Sequence, residues 1–167
     1  NDLDAFKAAD NSIKNDALLE DATSCQKEIH TWGSANGVRF EGSKETKHVI
    51  SRVDPHGGCF EKLGASFDPQ LLMHEEVSAL AASASWKLAS IMRTKRFFNH
   101  IELVSRYQAQ VLSYIEYRTA AIYHVATTNL DTLDRVQTRV LTAVDMSEIE
   151  GLLVCRLAPL RARRDMA

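Results

Sequence analysis

The sequence predicts an α+β fold: an N-terminal helix and a small antiparallel β hairpin region, followed by a bundle of three to four helices. Three observations predict it. Apolar residues recur at spacings of three and four through residues 73–144, the period of α-helices that bury one face, and no proline interrupts residues 70–158. Residues 38–68 are rich instead in β-branched residues and turn formers. A single shorter helical stripe precedes them.

Taken in order, Asn11-Ser12 and Asn15-Asp16 supply side chains that accept the free N–H groups of a first helical turn. Leu18, Ala22, Cys25, Ile29 and Trp32 then form one apolar stripe, and Gly33 and Gly37 can end the helix. Val38-Arg39-Phe40-Glu41 alternates, His48 to Val53 is β-prone, Asp54-Pro55-His56-Gly57-Gly58 is a turn, and Cys59 to Phe67 reads as a returning strand with Gly64 at a bulge or close approach. Two to four short strands result, too few to close a sheet alone. Beyond them, Met73, Val77, Leu80, Ala84, Leu88 and Ile91 make one stripe, Val104, Tyr107, Val111 and Ile115 a second, and Leu133, Val136, Val140 and Val144 a third. Ser147 and Glu150 form a capping box opening a short helix with Ile149, Leu153 and Leu157. Trp32 and Trp86 are expected in the core, and Tyr107, Tyr114, Tyr117 and Tyr123 between helices.

A chain of 167 residues can bury one sizeable core, or two small ones, at roughly 70% of its unfolded surface. No apolar run approaches the ~20 residues of a membrane span. Cys25, Cys59 and Cys155 are odd in number and far apart, and the six histidines lack ligand spacing. A disulfide framework and a Cys/His metal site are therefore not expected, and a reducing compartment is the default. The net charge of −2 is divided unevenly: residues 1–80 hold 8 Lys/Arg against 14 Asp/Glu, residues 81–167 hold 12 against 8. A polyanion would meet the second half.

Asn1-Asp2-Leu3-Asp4-Ala5-Phe6-Lys7-Ala8 resembles the second half of the metal-binding turn of reverse transcriptases. Trp32-Gly33 with Asn36-Gly37-Val38, Phe40 and Lys44 resembles the segment that follows that turn in non-LTR (LINE-type) retrotransposons, as does Lys62-Leu63-Gly64-Ala65 with Phe67-Asp68. The resemblance runs on through Tyr107, Gln110-Val111-Leu112, Ile115-Glu116-Tyr117-Arg118, Leu133-Asp134-Arg135-Val136-Gln137 and Leu157-Ala158-Pro159-Leu160, and so covers nearly the whole chain. Each piece is weak alone; their order and spacing are fairly specific. The resemblance implies the C-terminal part of the reverse transcriptase domain: a partial palm-like segment at 1–68 (strand, helix, hairpin) and a thumb-like bundle at 69–167. It implies that the chain starts inside the catalytic turn, with the front half of the polymerase elsewhere.

Site residues follow from the same resemblance. Asp2 matches the second aspartate of the turn, but Asn1 stands where the first belongs, and the third ligand lies upstream. Two-metal nucleotidyl transfer needs bridging carboxylates, so Mg2+ is expected only if missing upstream residues complete the site, and the chain alone is expected to be inactive as an RNA-directed DNA polymerase. Lys44 matches the loop lysine that meets departing pyrophosphate, with a solvated loop lysine as the plain alternative. Lys62 and Gly64 match the primer-grip hairpin, where glycine admits a nucleic-acid backbone. Arg93, Lys95 and Arg96, beside Phe97 and Phe98, form the densest basic-aromatic cluster, suited to phosphates; Arg161, Arg163 and Arg164 form a second. Two functions stay open: a polymerase fragment with weak, sequence-independent RNA or DNA binding through residues 81–167, or a recruited relic serving as a structural subunit of a larger protein assembly. The first implies nucleus or cytoplasm; the second admits an organelle.

Overall fold

The computed structural model describes residues 4–10 and 13–166. It is α+β and mostly helical. The elements run α1 (Asn15–Ala35), a 3-10 turn (Gly42–Lys44), β1 (Phe60–Lys62), β2 (Ala65–Phe67), α2 (His74–Arg93), a 3-10 turn (Lys95–Phe97), α3 (His100–Tyr107), a π turn (Gln108–Leu112), α4 (Ser113–Glu116), α5 (Thr119–Ile122), α6 (Thr127–Ala143), α7 (Glu148–Cys155) and α8 (Leu160–Asp165). β1 and β2 pair antiparallel, Phe60 opposite Phe67 and Lys62 opposite Ala65. No helix among the described residues is long and apolar enough to cross a membrane.

The chain forms two compact units, 1–59 with 68–71 and 60–67 with 72–167. The hairpin at 60–67, which the sequence division at residue 68 assigns to the palm-like segment, thus packs with the helices. The reason is local. Ala65 is buried, Phe67 packs against the helical core, and the Ser66 N–H donates to the Glu76 carboxylate of α2 at 3.1 Å.

In the second unit, all three long apolar stripes are buried as their spacing requires. Met73, Val77, Leu80, Ala84, Leu88 and Ile91 on α2 share one core with Val104, Tyr107, Val111 and Ile115, and with Leu133, Val136, Val140 and Val144 around α6. Tyr107 is fully buried, and its hydroxyl donates to Gln137 Oε1 at 3.4 Å. Burial pushes its phenol well above the usual pKa. Asn99 and Ser147 close capping boxes with Glu102 and Glu150 at the starts of α3 and α7.

The short helix α7, opened by Ser147, departs from its expected packing. Ile149 and Leu153 are exposed, and α7 rests instead on Gly151, where an added Cβ would lie 2.8 Å from Leu141 Cδ2. A glycine contact brings the backbone close, so the larger residues of α7 turn outward. Leu157, beyond the helix end, is the one that enters the core.

The first unit has no comparable core: among its described residues only Gly33 is buried. Helix α1 packs with the polar side of its stripe. Gln26 and His30 bond the Glu45 carboxylate, His30 Nε2 at 2.8 Å, and Lys47 donates to Thr23 Oγ1 at 2.9 Å. The Gln26 and His30 contacts hold the Glu45 carboxyl below its usual pKa. Ala22, Cys25 and Trp32, expected to face inward, are exposed. Gly33 sits inside the helix, not past its end, because the Phe40 ring occupies the place of a side chain there; Gly37, at φ +71°, is the residue that turns the chain. The first turn of α1 lacks a side-chain cap at Lys14, and Asn15 instead donates to Asp54; Asn11 and Ser12 lie outside the described residues. Most of residues 38–58 is irregular, with a single isolated bridge among the described residues, between Val49 and His56.

Candidate nucleic-acid interface

Two clusters in the second unit hold the residues that the sequence singles out. The first is the hairpin tip. Leu63 and Gly64 both take positive φ, 51° and 76°, which is the two-residue type I′ turn whose twist matches that of paired strands. No atom lies within 4 Å of where a Gly64 side chain would begin, so glycine serves the turn here and leaves open space beside it. Leu63 projects into solvent. The Phe60 and Phe67 rings stack behind the tip, 5.5 Å apart, and the Glu76 contact fixes the base. Glu76 is itself buried beside Arg118, its Oε1 3.4 Å from the guanidinium. Arg118 also donates to the Tyr114 hydroxyl at 3.1 Å.

The second cluster is the C-terminal end of α2 and the turn after it. Arg93, Lys95 and Arg96 are exposed, as is Phe97. They are not equivalent. The Lys95 ammonium bonds the Ala143 carbonyl at the end of α6, where a cation satisfies free carbonyls and the helix dipole. Arg96 lies over the Phe97 ring, 4.6 Å from its centre, and is exposed. Arg93 is held by neither kind of contact. From residue 77 to residue 99 the sequence contains no Asp or Glu, so this end of α2 carries its positive charge unopposed along the chain.

The two clusters do not form one patch. Glu76, which anchors the hairpin, precedes Arg93 by seventeen residues of the same helix, about 25 Å at 1.5 Å per residue. Lys62 and Gly64 therefore sit near one end of α2, and Arg93, Lys95 and Arg96 at the other.

The remaining candidates fall elsewhere. Lys44 lies in the first unit and pairs with Glu41 at 2.7 Å, both side chains well exposed. Asp2 lies outside the described residues, and Asp4 is exposed. Among the described residues no group of three His, Cys, Asp or Glu side chains is placed to hold an ion. The C-terminal arginines are not a free tail: Arg163 pairs with Glu116, and Arg164 grips Asp134 through two bonds of 2.7 and 3.1 Å. Of the tyrosines, Tyr107 is core and Tyr114 half-buried, while Tyr117 and Tyr123 face solvent.

Trp86, like Trp32, is misplaced by the sequence reading. Expected in the core, it is 68% exposed on α2. Its helical phase carries the signal: it lies two residues from both Ala84 and Leu88, about 200° around the helix from that buried stripe. Seven residues separate it from Arg93, which places the two on one outer face.

No protein-family model matches the chain, and no match is found among curated proteins or solved structures.

Proposed function

We propose that the chain is the end of the palm and the thumb-like region of an RNA-directed DNA polymerase of the non-LTR retrotransposon kind. In this reading its second unit holds nucleic acid through the sugar-phosphate backbone, weakly and without reading sequence. The order and spacing of the motifs from Trp32 to Leu160 support the family. The observation that carries the binding is the acid-free stretch 77–99, which places exposed Arg93 and Arg96 at the end of α2 in a chain of net charge −2. Chemistry would belong to residues upstream, and this part would supply grip.

The test is fluorescence anisotropy with a labelled duplex across a salt series. Each phosphate neutralised releases condensed counterions, about 0.9 per contact on B-form DNA, so affinity falls steeply with salt. Replacing Arg93, Lys95 and Arg96 by alanine is expected to flatten the slope by about two units. Two is the figure, and not three, because Lys95 already serves the Ala143 carbonyl. Binding that ignores both salt and the triple substitution refutes the reading.

A second reading, a relic recruited as a structural subunit of a larger assembly, is favoured by one observation: the first unit exposes Trp32, Cys25 and Ala22 on α1 and buries only Gly33 among its described residues. A unit with so little interior is stabilised by what covers it. Light scattering separates the readings: a chain that is monomeric at high concentration, and that binds duplex, supports the polymerase fragment.

A further inference from the structure

The outer face of α2 offers rings as well as charge. Trp86 is 68% exposed and Phe97 66% exposed, at the two ends of the cationic cluster. The residues one turn to either side of Trp86 on that face are Ala82 and Ala89, with Ser90 beside them. None is long enough to overhang the indole, so its face is open to a planar ligand. Arg93 stands two turns further on the same face, and Arg96 covers one side of the Phe97 ring. The sequence from 77 to 99 supplies no carboxylate to repel an anion. An open indole, guanidinium groups beyond it and a second ring behind them are the elements of a site for an unpaired polynucleotide, in which phosphates meet cations and bases stack on aromatic faces. A duplex cannot use the rings, because its bases are already stacked on one another. A protein partner would be expected to meet such a cationic face with acidic residues.

We propose that this face of α2 binds single-stranded nucleic acid, with unpaired bases stacking on Trp86 and Phe97 and phosphates contacting Arg93 and Arg96. This rests on the nucleic-acid reading given above and sharpens it, since it names a strand state that the charge alone does not select.

The test compares oligo(dT) of about 20 nucleotides with a blunt duplex of the same length, by anisotropy on the full chain; that length exceeds the site of a single binding module. Base–aromatic stacking is lost with the ring, so Trp86→Leu is expected to weaken oligo(dT) binding roughly five- to hundredfold. It should leave the salt slope and duplex affinity unchanged. Phe97→Leu should act in the same direction, while Arg93→Ala with Arg96→Ala should lower the salt slope for both nucleic acids. Trp86 is at the surface, so its substitution leaves the core intact, and circular dichroism checks that it does. In a Trp32→Phe background the remaining tryptophan emission should be quenched by oligo(dT) and not by duplex. If Trp86→Leu weakens both forms equally, or neither, the stacking site is refuted while backbone binding stands. If the unaltered chain binds neither form in a salt-dependent way, both readings fall.

Discussion

Replacing Glu76 by alanine should cost the second unit about 4 kcal/mol, and the geometry says why. The side chain is 7% exposed and does two things: Oε2 accepts the Ser66 N–H at 3.1 Å, and Oε1 faces the Arg118 guanidinium at 3.4 Å. At an effective dielectric of about 20, two unit charges at that separation attract by about 5 kcal/mol before desolvation is charged against them. The net worth of the pair is much smaller, but breaking it strands the partner, and losing one member of a buried pair costs about 3–5 kcal/mol. Arg118 is 20% exposed and keeps its bond to the Tyr114 hydroxyl, so the lower end of that range applies. The lost Ser66 contact adds about 1 kcal/mol. Glu76→Gln, which keeps an acceptor for Ser66, should cost less than Glu76→Ala. Glu76→Leu combined with Arg118→Met removes both charges and should recover most of the loss. Urea unfolding of the three variants measures the differences, and amide exchange at Ser66 reports whether the hairpin has come loose. A loss below about 1 kcal/mol for Glu76→Ala, or a double variant as unstable as the sum of its parts, would refute this account.

Three further outcomes are expected. Gly64→Ala should cost about 1 kcal/mol in thermal or urea unfolding because the turn needs a left-handed residue, and Gly64→Asn should cost less; a neutral alanine would contradict the type I′ turn. Ser147→Ala should remove about 1 kcal/mol of capping at α7. It should also raise the Glu150 carboxyl, which bonds to the Ser147 backbone and side chain now hold below its usual value. Because that pKa is depressed by folding, its stabilisation is present above the unfolded value of about 4.3 and is lost as pH falls through the folded one; an NMR titration in which Glu150 does not respond to the substitution would oppose this. In hydrogen exchange, amides of residues 13–59 should exchange much faster than those of Leu103, Tyr107, Leu133 and Val140, since local opening tracks how little is buried. Equal protection in both stretches would mean that the first unit is stabilised by something its burial does not reveal.

How far the sequence can be read depends on what a residue contacts. Helices α2, α3 and α6 were legible because their buried faces pack large apolar side chains, and a long stripe repeats its message at every turn. The start of α7 was legible from its Ser147–Glu150 capping box, but its packed face was not, because it packs through Gly151, and a contact made by the absence of a side chain leaves no apolar signal. Helix α1 misled for the opposite reason: Leu18, Ala22, Cys25, Ile29 and Trp32 fall at helical spacing, yet Thr23, Gln26 and His30 make the local contacts. Apolar periodicity shows which face can be buried and is silent on whether this stretch of chain buries it. At the candidate interface, the cluster of cations at the end of α2 was visible from residue types alone. The occupation of Lys95 by Ala143, and of Arg163 and Arg164 by acids far away in sequence, needed the fold, because pairing across 30 residues or more has no local trace.

The π turn at Gln108–Leu112 has a genetic consequence. Eight residues of ordinary α-helix carry Ile115 about 80° past Tyr107, yet Tyr107, Val111, Leu112 and Ile115 are all buried. A turn closed five residues back in place of four takes up one additional residue. The helix thus carries a spare codon. Loss of the triplet for Ala109 or Gln110, both exposed, tightens the turn to ordinary α-helix and leaves Tyr114, Ile115 and Arg118 facing their present neighbours. The same event at Ala89 in α2 meets no slack: Ile91 and everything after it would rotate by about 100°, carrying the apolar face into water and the arginines toward the interior. Loss of one residue should therefore leave the fold in place at 108–112 and unfold the helix that bears the charge, a difference that urea unfolding of the two deletion variants measures.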